Sequence, residues 1–128
     1  NNASYVNDFW VYDHTTDTWT EKRKISDVTS ESYDDDDNIV RAYGVTFVMG
    51  SKAYYTCGES SSILNSTWEY DPYSDLWTEK TGMEGSARTG AVGFALNDRG
   101  FVTTGRSQSY RFDDMYEFKP FDEYDEND

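Results

Sequence analysis

Few side chains in this 128-residue chain are suited to catalysis: there is one histidine, His14, and one cysteine, Cys57. A Ser–His–Asp relay needs an imidazole held beside a serine on a strained turn. His14 instead stands in the run Asp13-His-Thr-Thr-Asp17, which reads as an exposed turn. A single cysteine allows no internal disulfide, and one histidine with one cysteine cannot supply a zinc set. Oxygen donors are more plentiful. Asp34, Asp35, Asp36 and Asp37 are consecutive, and residues 122–128 carry further acids. Such runs are ordinarily solvated, but a hard cation takes several carboxylate oxygens. Calcium at Asp34–Asp37 is therefore the one cofactor expectation, and the spacing is not that of an EF-hand. Paired carboxylates also hydrolyse glycosides, yet nothing apolar flanks these aspartates to raise a carboxyl pKa.

Charge narrows the partners. Twenty-five acids against eleven bases give a net charge of −14, which repels phosphate backbones, so nucleic acid is not an expected partner. No apolar run has the length of a membrane span.

The positioning elements come from an internal repeat. Residues 7–22 recur at 65–80 with identities that include Trp10/Trp68, Tyr12/Tyr70, Asp13/Asp71, Asp17/Asp75 and Trp19/Trp77. Residues 41–58 recur at 88–105, with Arg41/Arg88, Val45/Val92, Phe47/Phe94, Thr56/Thr103 and Gly58/Gly105 identical and Lys52/Arg99 and Tyr54/Phe101 similar. A fixed period marks an architecture in which each unit buries its apolar face against its neighbours. Four short runs per unit, at 43–49, 53–57, 66–70 and 76–80, are rich in aromatic and β-branched residues and are separated by turn formers. They predict a four-stranded antiparallel sheet. The first two runs are nearly continuous apolar stretches and are expected to be inner strands covered on both faces; the last two mix Trp and Tyr with polar residues, as outer strands do.

Arg88-Thr-Gly-Ala-Val-Gly-Phe, Gly100-Phe-Val-Thr-Thr-Gly105, Asn65-Ser-Thr-Trp-Glu-Tyr-Asp-Pro72 and Asp75-Leu-Trp77 together resemble the kelch-type repeat of β-propellers, in the version common in exported bacterial proteins. One departure is that kelch repeats usually close the second strand with a glycine pair, whereas Cys57-Gly58 and Thr104-Gly105 keep only the second glycine. The resemblance implies an all-β fold of about two and a half blades in an incomplete ring. Residues 1–25 would supply the outer two strands of one blade, 26–40 an acidic linker, 41–81 a complete blade, 88–119 three strands of the next and 120–128 an acidic tail, all in one propeller domain. The remaining blades are then expected from the same parent protein, another chain or self-assembly, and a periplasmic or cell-surface location is expected.

In a meander of this kind the second-to-third connections and the inter-blade linkers emerge together at one end. That end carries Tyr33, Glu59, the serines 60–62, Arg106, Gln108, Tyr110 and Arg111, the expected binding residues for a glycan or protein partner. Trp10, Trp19, Trp68, Trp77, Arg41, Arg88, Gly58 and Gly105 are expected to be structural, with the two arginines in ion pairs or facing a central channel. The function implied is non-enzymatic binding or scaffolding. The alternative is a segment of a sugar-directed propeller enzyme, epimerase-like or hydrolase, with its catalytic residues in blades outside this sequence.

Overall fold

Sequence periodicity of two becomes nine strands in three antiparallel sheets in the computed structural model, which describes residues 4–25 and 39–119. Residues 26–38 of the acidic linker and the acidic tail, and with them Tyr33 and Asp34, Asp35, Asp36 and Asp37, lie outside the described residues. The first sheet pairs β1 (Trp10–Asp13) with β2 (Thr18–Glu21). The second runs in the order β3 (Val45–Met49), β4 (Lys52–Thr56), β5 (Thr67–Asp71), β6 (Leu76–Lys80), and the third β7 (Val92–Leu96), β8 (Arg99–Thr103), β9 (Met115–Phe118). No helix occurs among the described residues, and the sheets do not close into a ring.

Register repeats with the sequence. Tyr12 lies opposite Trp19 and Tyr70 opposite Trp77, and the ring pairs have nearly the same geometry, with centroids 5.0 and 5.1 Å apart and planes at 41° and 42°. In each turn the first aspartate accepts a backbone N–H two residues on, from Thr15 to Asp13 and from Tyr73 to Asp71, both at 2.8 Å. The last aspartate accepts the hydroxyl of Tyr12 or Tyr70 at 2.7 Å. His14 sits exposed in the first of these turns.

Burial is set by which sheet covers which face. Val45, Phe47, Met49 and Tyr54 share one face of the second sheet and are 4, 6, 7 and 2 % exposed, because the third sheet lies against them. Their counterparts on the third sheet, Val92, Phe94 and Leu96, are 57, 41 and 61 % exposed. The tryptophans divide the same way. Trp68 and Trp77 are buried under Phe9 and Ile39, whereas Trp10 and Trp19 keep the register but look outward, at 45 and 64 % exposure. The expectation that inner strands are covered on both faces is corrected here. In β3 burial alternates, while β5 is buried almost throughout. Phe9 and Ile25, which flank the two strands of the first sheet, pack on the Trp68, Tyr70 and Trp77 side of the second sheet, and Thr46 and Val48 on β3 stay exposed.

Close approach decides where glycine stands. A Cβ at Gly93 would run into Val45, and one at Gly100 into the Phe47 ring. The equivalent positions on the second sheet face the half-open side and carry Thr46 and Ala53. A second finding concerns the strand ends. Cys57 and Thr104 have φ of 59° and 60°, and the glycines after them have φ of 93° and 91°. Both members of the expected glycine pair are thus left-handed, and two non-glycine residues occupy a conformation costly for L side chains, most so for β-branched threonine.

Gly100→Ala is expected to destabilise the chain by about 1–3 kcal/mol in urea unfolding, since the added methyl must displace Phe47. Thr104→Gly, at an exposed site with φ of 60°, is expected to stabilise by up to about 1 kcal/mol by relieving backbone strain.

Candidate functional site

Two buried arginines hold the loop end of the sheets together. Arg41 Nε donates to the Ile39 carbonyl at 3.2 Å and its guanidinium to the Cys57 carbonyl at 3.0 Å. Arg88 repeats both bonds with the carbonyls of Ser86 and Thr104, at 3.2 and 3.0 Å. The third contact differs. Arg41 reaches the Ser66 carbonyl at 2.9 Å and its hydroxyl at 3.0 Å, while Arg88 grips the carboxylate of Asp114, which stands at the position equivalent to Ser66. Each guanidinium also lies over rings: Arg41 over Tyr55 at 5.3 Å, Arg88 over Phe112 at 4.3 Å. Both side chains end inside the sheet, Arg88 in an ion pair with Asp114, and they tie the loop before the first strand to the entry of the third.

The charges are tuned accordingly. Burial pulls Arg41 down to about 10, against the opposing pull of Tyr55, Cys57 and Glu79, and it remains a cation at neutral pH. Hydrogen bonds from Arg88 hold the Asp114 carboxyl below the usual carboxylate range. At Glu69 burial works upward, but the hydrogen bonds from Lys52 and Tyr54 and the charges of Lys80 and Lys52 outweigh it, and the net shift is downward. Burial raises the Cys57 thiol, which points at Met83 Sδ 3.5 Å away, so it is a packing residue and not a nucleophile.

Above the clamps the connections of the second and third sheets are equivalent loops. Glu59 bridges Ala42 and Ile63, and Arg106 bridges Thr89 and Arg111. Crossing bonds from Gly58 N to the Arg88 carbonyl at 2.8 Å and from Arg88 N to the Leu64 carbonyl at 3.3 Å fix one loop against the next repeat. Ser60 N–H closes its loop on the Ser62 carbonyl at 3.0 Å, and Ser107 N–H closes the other on the Tyr110 carbonyl at 2.9 Å. Between them opens a cleft of about 430 Å³ lined by Ser61, Ser62, Ile63 and Ala87 on one side and Ser107, Gln108, Ser109 and Tyr110 on the other.

Of the expected binding residues, Gln108 and Tyr110 meet in this cleft with two of the serines. Glu59, Arg106 and Arg111 do not line it; the backbones of all three serve the bridges that shape the loops. Ile63, Ala87, Ser107 and Ser109 were not singled out from the sequence. The signal was present in the 47-residue offset, which pairs serines 60–62 with residues 107–109. The lining offers serine hydroxyls, one carboxamide and one phenol ring, and no carboxylate, imidazole or thiol. That set can form neutral hydrogen bonds and stack on a ligand face, and it holds no nucleophile–base pair. Among the described residues, no group of acids, histidines or cysteines is placed to hold a metal. No protein-family profile matches this chain, and no curated protein matches it.

Replacing Asp114 by serine, the residue at the equivalent position, tests the clamp through pH. A carboxyl held below its unfolded value of about 3.9 stabilises the fold at higher pH, and that contribution is lost as pH falls through the lower folded value. The urea midpoint of Asp114→Ser is therefore expected to fall less steeply than wild type between about pH 5 and pH 2. Arg88→Met, which strands buried carbonyls, is expected to cost about 2–4 kcal/mol at pH 7.

Proposed function

We propose that this chain is a stretch of kelch-type β-propeller sheets that acts as a non-enzymatic binding scaffold, with the cleft between loops 60–63 and 107–110 taking a neutral glycan. The observation that carries this reading is the cleft's chemistry. Hydroxyls and a carboxamide that both donate and accept match the hydroxyls of a sugar, and the Tyr110 ring supplies an apolar face for stacking. A chain with net charge −14 disfavours acidic ligands, and the lining has no fixed positive charge to offset that. The rigid base beneath the loops supports binding over chemistry. The loops are held by backbone bonds and arginine clamps, which preorganise a surface and keep ordering costs low. An exported setting, expected from the kelch resemblance, goes with a glycan ligand.

The test is an array of neutral oligosaccharides followed by calorimetry on the best binder. Tyr110→Ala and Gln108→Ala are each expected to weaken binding about tenfold, worth roughly 1.4 kcal/mol, with no change in melting temperature. Tyr73→Ala, fully exposed at the opposite end of the second sheet, is expected to change nothing. Absence of any neutral-glycan binding, or binding indifferent to both cleft substitutions, overturns the reading.

A further inference from the structure

Tyr43 holds a backbone conformation that its side chain does not favour. Its φ is 54°, in the left-handed region, where a bulky aromatic is an outlier. The other non-glycine residues in that region have local reasons. Asp17, Asp75, Asn97 and Asp98 are of the types that adopt it most readily, and Cys57 and Thr104 repeat each other at the strand ends. The counterpart of Tyr43 in the next repeat is Gly90, with φ of 64°. Glycine therefore gives the same path without strain, and burial does not repay the tyrosine, which is 67 % exposed. The surroundings impose the conformation. The Tyr43 carbonyl accepts the Gly90 N–H at 3.0 Å, and Ala42 just before it exchanges two backbone bonds with Glu59, both at 2.9 Å. Strain imposed on an exposed side chain points to a use for that side chain.

The place of Tyr43 supplies the use. Ala87 lines the cleft, and three residues further along the same strip Gly90 bonds to Tyr43. Arg88, between them, accepts the Gly58 N–H, so the strip runs along the seam between the two repeats. On the other side of the seam Glu59, paired with Ala42, leads directly into the serines of the 60–63 loop. The space beside Tyr43 is open, since a Cβ at Gly90 would meet nothing within 4 Å. Tyr43 precedes β3, the edge strand of its sheet, and stacking of sheets covers faces and not this edge. Three residues of chain span at most about 10 Å, more than one sugar ring and within reach of a short string of them. We propose that Tyr43 is a second stacking platform for the ligand of the cleft, so that the site takes a neutral oligosaccharide laid along the seam from Tyr110 to Tyr43, and not a single sugar. This rests on the glycan reading above and adds to it the ligand's length and direction. A phenol ring offers an apolar face at small entropic cost, and a backbone already fixed by its bonds to Gly90 and Glu59 lowers the cost of ordering further.

Calorimetry on the whole chain with the monosaccharide, disaccharide and tetrasaccharide of the glucose, galactose, mannose and N-acetylglucosamine series tests it. Wild type is expected to bind the tetrasaccharide of one series at least about tenfold more tightly than its monosaccharide. Tyr43→Gly is expected to abolish that gain and to leave affinity for the monosaccharide unchanged. Its urea midpoint, which reports that it is folded, is expected to be no lower than wild type, because glycine relieves the strain. Tyr43→Phe keeps the ring and is expected to keep the gain. Tyr110→Ala, by contrast, is expected to weaken binding at every length. Affinity indifferent to length, or a folded Tyr43→Gly that retains the gain, overturns this inference and leaves the glycan reading standing. Absence of binding by every member of all the series overturns both.

Discussion

Everything in this fold depends on how closely one sheet can approach the next. The Val45, Phe47, Met49 and Tyr54 face is dry only because the third sheet presents Gly93 and Gly100 where any side chain would collide with Val45 or Phe47. Burying side chains of this size is worth about 1.5–3 kcal/mol each, which isolated two- or three-stranded sheets cannot obtain by themselves. The glycines weaken their own strands, because they pack no side chain and cost more conformational entropy. They are tolerated because the loss is local and the gain is shared by a whole face. Phe118 completes the contact by packing against both Phe47 and Tyr54.

The arginine clamps act at right angles to that packing. Face-to-face burial is non-directional and leaves a sheet free to slide; a planar guanidinium bonded to carbonyls on two segments does not. Arg41 and Arg88 make the same first two bonds at the same distances, and so place the loop end of each repeat identically. The third bond, to Ser66 in one repeat and to Asp114 in the other, changes the electrostatics without changing the placement. Because the crossing bonds of Gly58 and Arg88 tie adjacent repeats at this level, the cleft above inherits its width from the clamps, and its lining residues are free to vary in chemistry.

Register was legible in the sequence and burial was not. Trp10 and Trp68, with Tyr12 and Tyr70, share neighbours along the chain, and local spacing alone puts each ring on the same side of its strand. Whether that side is dry depends on a different segment, so Trp68 is buried while Trp10 is exposed. The same limit explains β3, whose continuous apolar run predicts two covered faces although only one is covered. Left-handed φ at Cys57 and Thr104 was hidden for another reason. A glycine pair announces such a conformation, but when one glycine is replaced the backbone keeps its path and the residue no longer reports it. The cleft was half legible: an exposed aromatic and a carboxamide in a loop draw notice, whereas Ser61, Ser62 and Ser109 matter only because equivalent loops of successive repeats face each other.

Repeats of nearly equal chemistry in unequal surroundings also separate composition from context. Lys52–Glu69 and Arg99–Glu117 are the same ion pair on the same sheet position, but Glu69 is buried and Glu117 partly open to solvent. The first is sheltered from screening and held by a third partner, Tyr54, whereas the second is a surface pair of the kind worth little. Had the third sheet evolved only as a solvent-facing end, Val92, Phe94 and Leu96 would be free to become polar, as exposed faces of antiparallel sheets ordinarily are. Instead they retain the side-chain types of the buried face of the second sheet while the glycines opposite that face are specific to close contact.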